Sequence, residues 1–403
     1  MGAFFKDALQ DRLGTWGIGY MPYGGIDHGE LVAIGEAVGD GDDGVYHDTW
    51  VAAADRLKTQ ARDALANGHS ASARDLLLRS SGFYVSACRP LFGPRRDPRL
   101  LAAQRSAVAA FDEAMALSDP PGTPLAIPFE GLSLPGYFIP AEGRAAEVRP
   151  LLILTNGYDG TITDMYFASA VAASRRGYHV LMFDGPGQGS MLAWHGVPMR
   201  PDCEVVINAV VDVAVTLPNV DTDRMVLNGW SLGGYLAPRG ASGEPRLAAC
   251  VADPGQFSMA GGFAAYAVKL GASPDEARDL STLDQSIIDR LRRMIDGDRI
   301  QRWTFTQRGF WVHGVTDLRG YLAAAQQFTM EGRAGMIRCP TLLTMAENDP
   351  LTASTQTLFD QMTCPKTIIR FSAADGAGDH CEMGNRSLLN RRTFDWLEET
   401  LRP

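Results

Sequence analysis

The 403-residue chain has only four lysines (Lys6, Lys58, Lys269 and Lys366) and no basic run. Lys and Arg total 37 against 47 Asp and Glu, a formal net charge of −10. Such a chain lacks the cationic stripe that a phosphate backbone requires, so nucleic acid is not an expected partner. No apolar run approaches the ~18 residues of a membrane span, so no membrane partner is expected either. The N-terminal stretch is interrupted by Lys6, Asp7, Asp11 and Arg12, which predicts no secretory signal. Lys6 also occupies the position where an N-myristoylation signal carries Ser or Thr. The six cysteines (Cys88, Cys203, Cys250, Cys339, Cys364, Cys381) are scattered and form no C-x-x-C pair. A chain of this size needs no staples, so buried free thiols in a reducing cytoplasm are expected, with no metal site and no cofactor. The stretch Asp184-Gly185-Pro186-Gly187-Gln188-Gly189 lacks the Lys-Ser/Thr of a phosphate loop and has proline where a free N–H would help. It reads as a structural turn that shapes a pocket.

Hydrophobic residues make up 45% and charged residues 21%, the balance of a globular protein. The chain changes character near residue 120. Before it, apolar residues recur at helical spacing over 49–66, 70–88 and 97–117. Ser70 is the expected N-cap of the second helix, and Asp97 followed by Pro98 opens the third. The stretch 118–124 is a turn by its proline and glycine content. After it, 125–140 predicts a hairpin turning at Glu130–Gly131. Short apolar runs at 151–155, 179–184, 224–230, 247–253, 341–346 and 367–371 predict buried strands. Helical patterns at 164–176, 202–216, 232–241 and 384–399 separate several of them, which implies βαβ units and a mainly parallel sheet with helices on both faces. Between Asp253 and Pro340 no strand is expected. Helical patterns at 275–296 and 316–331 there suggest an insert over the ligand crevice at the carboxyl edge of the sheet. The expected organisation is a helical domain over 1–120 contributing to a cap, an α/β core over 124–403, and a helical lid over 256–335 within that core.

Gly229-Trp230-Ser231-Leu232-Gly233 is G-x-S-x-G between a predicted strand and a predicted helix, the setting of a nucleophile elbow. Serine needs a base, and the base an orienting acid, in the chain order Ser, acid, His. Asp349 follows the strand 341–346, with Glu347 as its neighbour and competitor. His380 follows the last strand and precedes a helix. An oxyanion hole needs two backbone N–H donors. Leu232 supplies one; the other is expected from the loop after 151–155, at Tyr158 or, second, Asp159. Trp194, His195, Trp230 and Phe257 are candidates for an apolar, aromatic pocket, as are Trp303, Phe310 and Trp311 of the insert. Three readings compete: a serine hydrolase, an acyltransferase or cyclase using the same residues, and a non-catalytic binding module. The presence of all three triad residue types argues against the last.

These residues resemble the α/β-hydrolase superfamily. GPGQG (185–189), GVPMRPDCE (196–204), GWSLGGYLAPR (229–239), CPTLL (339–343) with ENDP (347–350), and DHCEMGNR (379–386) resemble one subgroup. It contains 2,6-dihydroxypseudooxynicotine hydrolase and a fungal heptaketide hydrolase of pigment synthesis. The N-terminal YGGIDHGE (23–30), the acidic stretch leading to Trp50, and residues 72–80 resemble it too. The resemblance implies an α/β-hydrolase core with a helical N-terminal cap, commonly a homodimer, and a triad of Ser231, Asp349 and His380. It implies cleavage of a C–C bond next to a ketone, or of an ester or lactone, in an aromatic or polyketide-like molecule. Some members use a further acid after the following strand; the nearest position here is Asp253.

Overall fold

The computed structural model describes residues 2–402 apart from Asp159. Five helices come first: α1 (Ala8–Gly14), α2 (His28–Val38), α3 (Asp43–Ala66), α4 (Ser70–Cys88) and α5 (Pro98–Ala116), with a 3-10 stretch, Thr15–Tyr23, after α1. Local chemistry starts several of them. The Asp42 carboxylate accepts from the amides of Gly44 and Val45 at the head of α3, and Asp97 accepts from Arg99 ahead of Pro98 in α5. Ser70 is not a cap. It is the first helical residue, His69 holds the cap position, and no side chain bonds the exposed amides there.

Eight strands follow: β1 (Thr123–Phe129), β2 (Leu132–Ile139), β3 (Arg149–Thr155), β4 (His179–Phe183), β5 (Val220–Trp230), β6 (Ala249–Asp253), β7 (Thr341–Ala346) and β8 (Lys366–Phe371). They form one sheet in the order β1-β2-β4-β3-β5-β6-β7-β8. The β1–β2 hairpin is antiparallel, β2 joins β4 antiparallel, and all other pairs are parallel. Glu130 and Gly131 turn the hairpin with φ of 47° and 79°, the left-handed pair that matches strand twist. β4 and β6 are buried along their whole length, as strands covered on both faces must be. From β3 the chain first moves outward to β4 and then returns to the other side of β3 as β5. The carboxyl ends of β3 and β5 therefore flank the point where strand order reverses, the usual place for a ligand crevice.

The N-terminal helices do not pack as a separate unit. Phe5, Trp50, Phe83 and Leu100 belong to the same buried cluster as Leu151 and Phe183 of the sheet and Trp303 and Trp311 of the insert. The insert between β6 and β7 also has a small core of its own, around Leu280, Ile287, Leu291 and Leu322. Its helical content exceeds the sequence expectation. The pattern 275–296 is two helices, Pro274–Arg278 and Gln285–Gly297, separated where Asp279 and Asp284 cap new starts. A helix at Gly261–Lys269 and a wide π-turn stretch at Arg302–Gly309 lack the apolar periodicity that would reveal them. All six cysteines are buried and unbridged. Among the described residues, no helix is long and apolar enough to cross a membrane.

Candidate active site

Ser231 follows β5 directly, with φ of 57°, in the left-handed region that a serine adopts only when its surroundings impose it. Its amide donates to the Asp253 carbonyl at 2.6 Å. The turn needs glycine around it. A Cβ on Gly234 would sit 1.8 Å from the Pro254 carbonyl oxygen, and one on Gly157 would sit 2.6 Å from Ser231 Cβ and 3.0 Å from its Oγ. The helix Gly233–Ala241 starts immediately afterwards, with Leu232 at its N-cap. The Leu232 amide therefore lies where the helix dipole favours negative charge.

His380 follows β8, and two consecutive left-handed residues, Cys381 and Glu382 (φ 54° and 48°), turn the chain sharply after it. This directs its imidazole at Ser231. The Ser231 hydroxyl donates to His380 Nε2 at 2.9 Å, and His380 Nδ1–H donates to Asp349 Oδ2 at 2.7 Å. Asp349 is 3% exposed, and its other oxygen accepts from the Leu351 amide. Glu347, two residues earlier, is exposed and accepts instead from the Ala373 amide. Three strand ends, those of β5, β7 and β8, thus bring a hydroxyl, an imidazole and a carboxylate into one hydrogen-bonded chain.

The loop after β3 approaches from the other side. Asn156 Oδ1 accepts from the Gly157 amide, and Asn156 Nδ2 donates to the Thr161 carbonyl. Gln188, from the glycine-rich turn, donates its amide to the carbonyls of Asn156 and Gly157 at 2.7 and 3.1 Å. That turn therefore braces the loop facing Ser231. Tyr158 is buried in the loop. Asp159, the second candidate for the oxyanion donor and a candidate substrate contact, lies outside the described residues.

A cavity of about 570 Å³ opens at Ser231 and His380, with Trp230, Tyr158 and Trp303 in its wall. The other pocket candidates, Trp194, His195, Phe257, Phe310 and Trp311, lie elsewhere: Phe310 packs against the insert's own core and Trp311 belongs to the main core. Trp194 and His195 follow the short helix Gly189–Ala193; Trp194 packs against the main core and His195 is exposed. Phe257 is not in the cavity wall; its carbonyl accepts from the Met330 amide and its own amide donates to Ser354 Oγ. Asp253 is not a substrate contact either. It is 2% exposed, pairs with Arg386 Nη1 at 2.7 Å and accepts from Thr344 Oγ1 at 2.9 Å. Its carboxylate is committed to a buried ion pair beneath the Ser231 turn.

Sequence reasoning missed the residues that distant segments contribute. Arg12, Leu13 and Trp16, from α1 and the stretch after it, line the cavity, as do Arg89 after α4 and Arg308 of the insert. The Trp16 ring lies 5.8 Å from His380 and 5.7 Å from Trp230. Arg89 pairs with Asp164 at 2.8 Å, both buried, and the Tyr20 hydroxyl donates to the same carboxylate. The Arg308 guanidinium stands over Tyr158 at 5.0 Å and Trp303 at 4.8 Å. In an acidic chain an isolated arginine reads as a solvated surface residue, and nothing local distinguishes these three.

Burial governs the ionisation of the groups beneath the site. It pushes the Glu382 carboxyl well above the usual range, helped by neighbouring Asp253. With both carboxylates ionised, neither Glu382 oxygen has a donor; a proton held on Glu382 gives it one to share with Asp253. Burial likewise raises Asp184, beside the glycine-rich turn, to about 6 and lowers His313, behind Tyr158, to about 4.

Residues 151–386 match the family model described as "Alpha/beta hydrolase family", and residues 40–257 match one described as "Esterase FrsA-like". The chain belongs to the alpha/beta hydrolase family. It is 32% identical to "Hydrolase ORFZ" of Pyricularia oryzae, over 99% of this chain and 98% of that one. It is 28% identical to "20-hydroxy-prefusarin hydrolase FUS2" of Gibberella moniliformis, over 95% of this chain and 94% of that one. The crystal structure of 2,6-dihydroxy-pseudo-oxynicotine hydrolase shares its fold, with a TM-score of 0.73 and 22% identity over 95% of both chains. This hydrolase thus shares the fold of that solved neighbour along nearly its whole length.

Proposed function

We propose that this hydrolase cleaves an acyl bond, a C–C bond next to a ketone or an ester, in an aromatic or polyketide-like small molecule, with Ser231 as nucleophile. The observation that carries the reading is the Ser231–His380–Asp349 hydrogen-bonded chain opening into a roofed cavity. His380 Nε2 takes the hydroxyl proton as Ser231 Oγ attacks the carbonyl carbon. Asp349 holds the ring so that Nε2 faces Oγ and stabilises the imidazolium. The amides of Leu232 and Tyr158 receive the developing oxyanion. On collapse, the bond to the leaving group breaks and His380 returns the proton to it. Water, deprotonated by His380, then hydrolyses the acyl-serine. Arg12, Arg89 and Arg308 in the same cavity suit a leaving group that departs as an enolate, because guanidinium charge stabilises the electron pair left behind. The 20-hydroxy-prefusarin for which the Gibberella relative is named is consistent with a hydroxylated natural product as the class.

The test is active-site labelling followed by a substrate panel. A fluorophosphonate is expected to modify Ser231 stoichiometrically in the native chain and not in Ser231→Ala. Turnover of aryl β-diketones and of matched aryl esters then distinguishes the two bond types. A native chain that turns over a substrate while Ser231 stays unlabelled would overturn the assignment.

A further inference from the structure

A second chamber, of about 440 Å³, lies behind the site, and Tyr158 forms part of both walls. The proposed catalytic steps make no use of it. Much of its wall comes from the roof, Val85 and Cys88 of α4, Leu100 and Gln104 of α5, and Trp311 and Val312 of the insert, and the loop at Tyr158 and the glycine-rich turn complete it. Most of this surface is apolar. One polar side chain breaks the pattern. Gln104 is 92% buried (8% exposed), and its Oε1 has no hydrogen-bond partner among the described residues. The chamber's other polar side chains differ in this respect: the Thr161 hydroxyl donates to Asp164, and the Cys88 thiol donates to the Tyr84 carbonyl. An orphaned acceptor inside an apolar wall is costly to keep. It is tolerated where a ligand completes it.

We infer that this chamber is a second binding compartment, which takes an apolar or aromatic portion of the substrate bearing a hydroxyl group, with Gln104 accepting from that hydroxyl. Placing this portion on the substrate rests on Ser231 being the nucleophile. The chamber's own chemistry does not. The roof then acts as a specificity device: α4 and α5 meet the hydroxylated end of the molecule while the sheet edge holds its carbonyl. A hydrocarbon analogue would leave Gln104 unpaired, so the compartment discriminates by a missing hydrogen bond rather than by size alone.

The experiment measures dissociation constants of 2-naphthol and naphthalene for the full-length chain, by calorimetry or tryptophan fluorescence. Trp311 in the chamber wall provides an optical signal. The native chain is expected to prefer the naphthol about tenfold or more. Gln104→Met, which keeps the volume and removes the acceptor, should reduce the preference to within about twofold. Leu100→Trp, which fills the chamber, should weaken both ligands at least tenfold; should that variant fail to fold, Val312→Phe takes its place. Equal binding of the two ligands to the native chain, or a preference that survives Gln104→Met or the filled chamber, would overturn the inference. Fluorophosphonate labelling of Ser231 in the same preparation separates the two readings. A naphthol preference without labelling removes the nucleophile and keeps the compartment, whereas labelling without a preference removes the compartment alone.

Discussion

The sheet and its roof contribute to the site in different ways. The sheet supplies Ser231, Asp349 and His380 from the ends of three strands, each in a short segment with a recognisable pattern. The roof supplies Arg12, Trp16, Arg89, Trp303 and Arg308 from the N-terminal segment and from the insert between β6 and β7. The sheet residues are fixed by backbone geometry: a left-handed serine, a turn of two left-handed residues after His380, and glycines where any side chain would collide. The roof residues are placed by packing. The difference teaches that the Ser231–His380–Asp349 chain is encoded by local patterns, whereas the lining of the cavity beside it is encoded by contacts between distant segments. The roof itself is divided. The N-terminal helices share their core with the sheet, whereas the insert has in addition a core of its own.

The most severe test removes half of the roof. A chain beginning at Thr123 is expected to be insoluble, because Leu151, Phe183 and their neighbours would lose the cover of Phe5, Trp50, Phe83 and Leu100. Soluble yield and circular dichroism provide the measurement; a stable, fully active fragment would show that the two regions are independent. Within the sheet, Ser231→Ala is expected to reduce kcat by about 10⁶ while the melting temperature stays near the native value. Next comes Asp349→Asn, with a loss of about 10⁴ in kcat. Glu347→Gln, two residues away, should leave kcat within a few-fold, and the opposite ranking in steady-state kinetics would transfer the acid role to Glu347.

Roof substitutions should act more gently. Trp16→Ala removes an aromatic neighbour of His380 and Trp230 and is expected to lower kcat/KM by about tenfold, on the scale of an aromatic contact. A loss as large as that of Ser231→Ala would erase the distinction between the two regions. The smallest effect is expected beneath the site, at Glu382. Its folded-state carboxyl is held above the ordinary value of 4.5 by burial and by Asp253, with Asp349 adding and Arg386 opposing. The protonated form therefore stabilises the fold fully below that ordinary value, and its contribution declines as pH rises toward the raised one. Glu382→Gln mimics the protonated form, so the urea midpoint of this variant should vary less between pH 5 and pH 8 than that of the native chain. An unchanged pH profile would mean that Glu382 carries no proton there.

Much of the sheet was legible in the amino-acid pattern, because continuous apolar runs such as 151–155 and 179–184 have few other ways to be buried. The elbow was legible because Gly229, Ser231, Gly233 and Gly234 stand together after such a run. Boundaries within the insert were not. Its helices are short, begin at aspartates inside a longer apolar pattern, and include π turns that spoil the periodicity. Asp253 misled for a related reason: its place at the end of β6 suits a catalytic acid, but only the approach of Arg386, 133 residues later, shows it to be one half of a buried ion pair.

The amino-acid sequence by itself thus determined the class of fold and the strained turn at Ser231. Each of these depends on neighbours within about ten residues: strand hydrophobicity, glycine's lack of a Cβ, and the alternation of strand and helix. The tertiary structure alone decided that Asp349 rather than Glu347 meets His380, that Gln188 braces the loop at Tyr158, and that Arg12, Arg89 and Arg308 face one cavity. Those outcomes depend on distances of about 3 to 6 Å between segments up to hundreds of residues apart, set by how helices and sheet pack to exclude water.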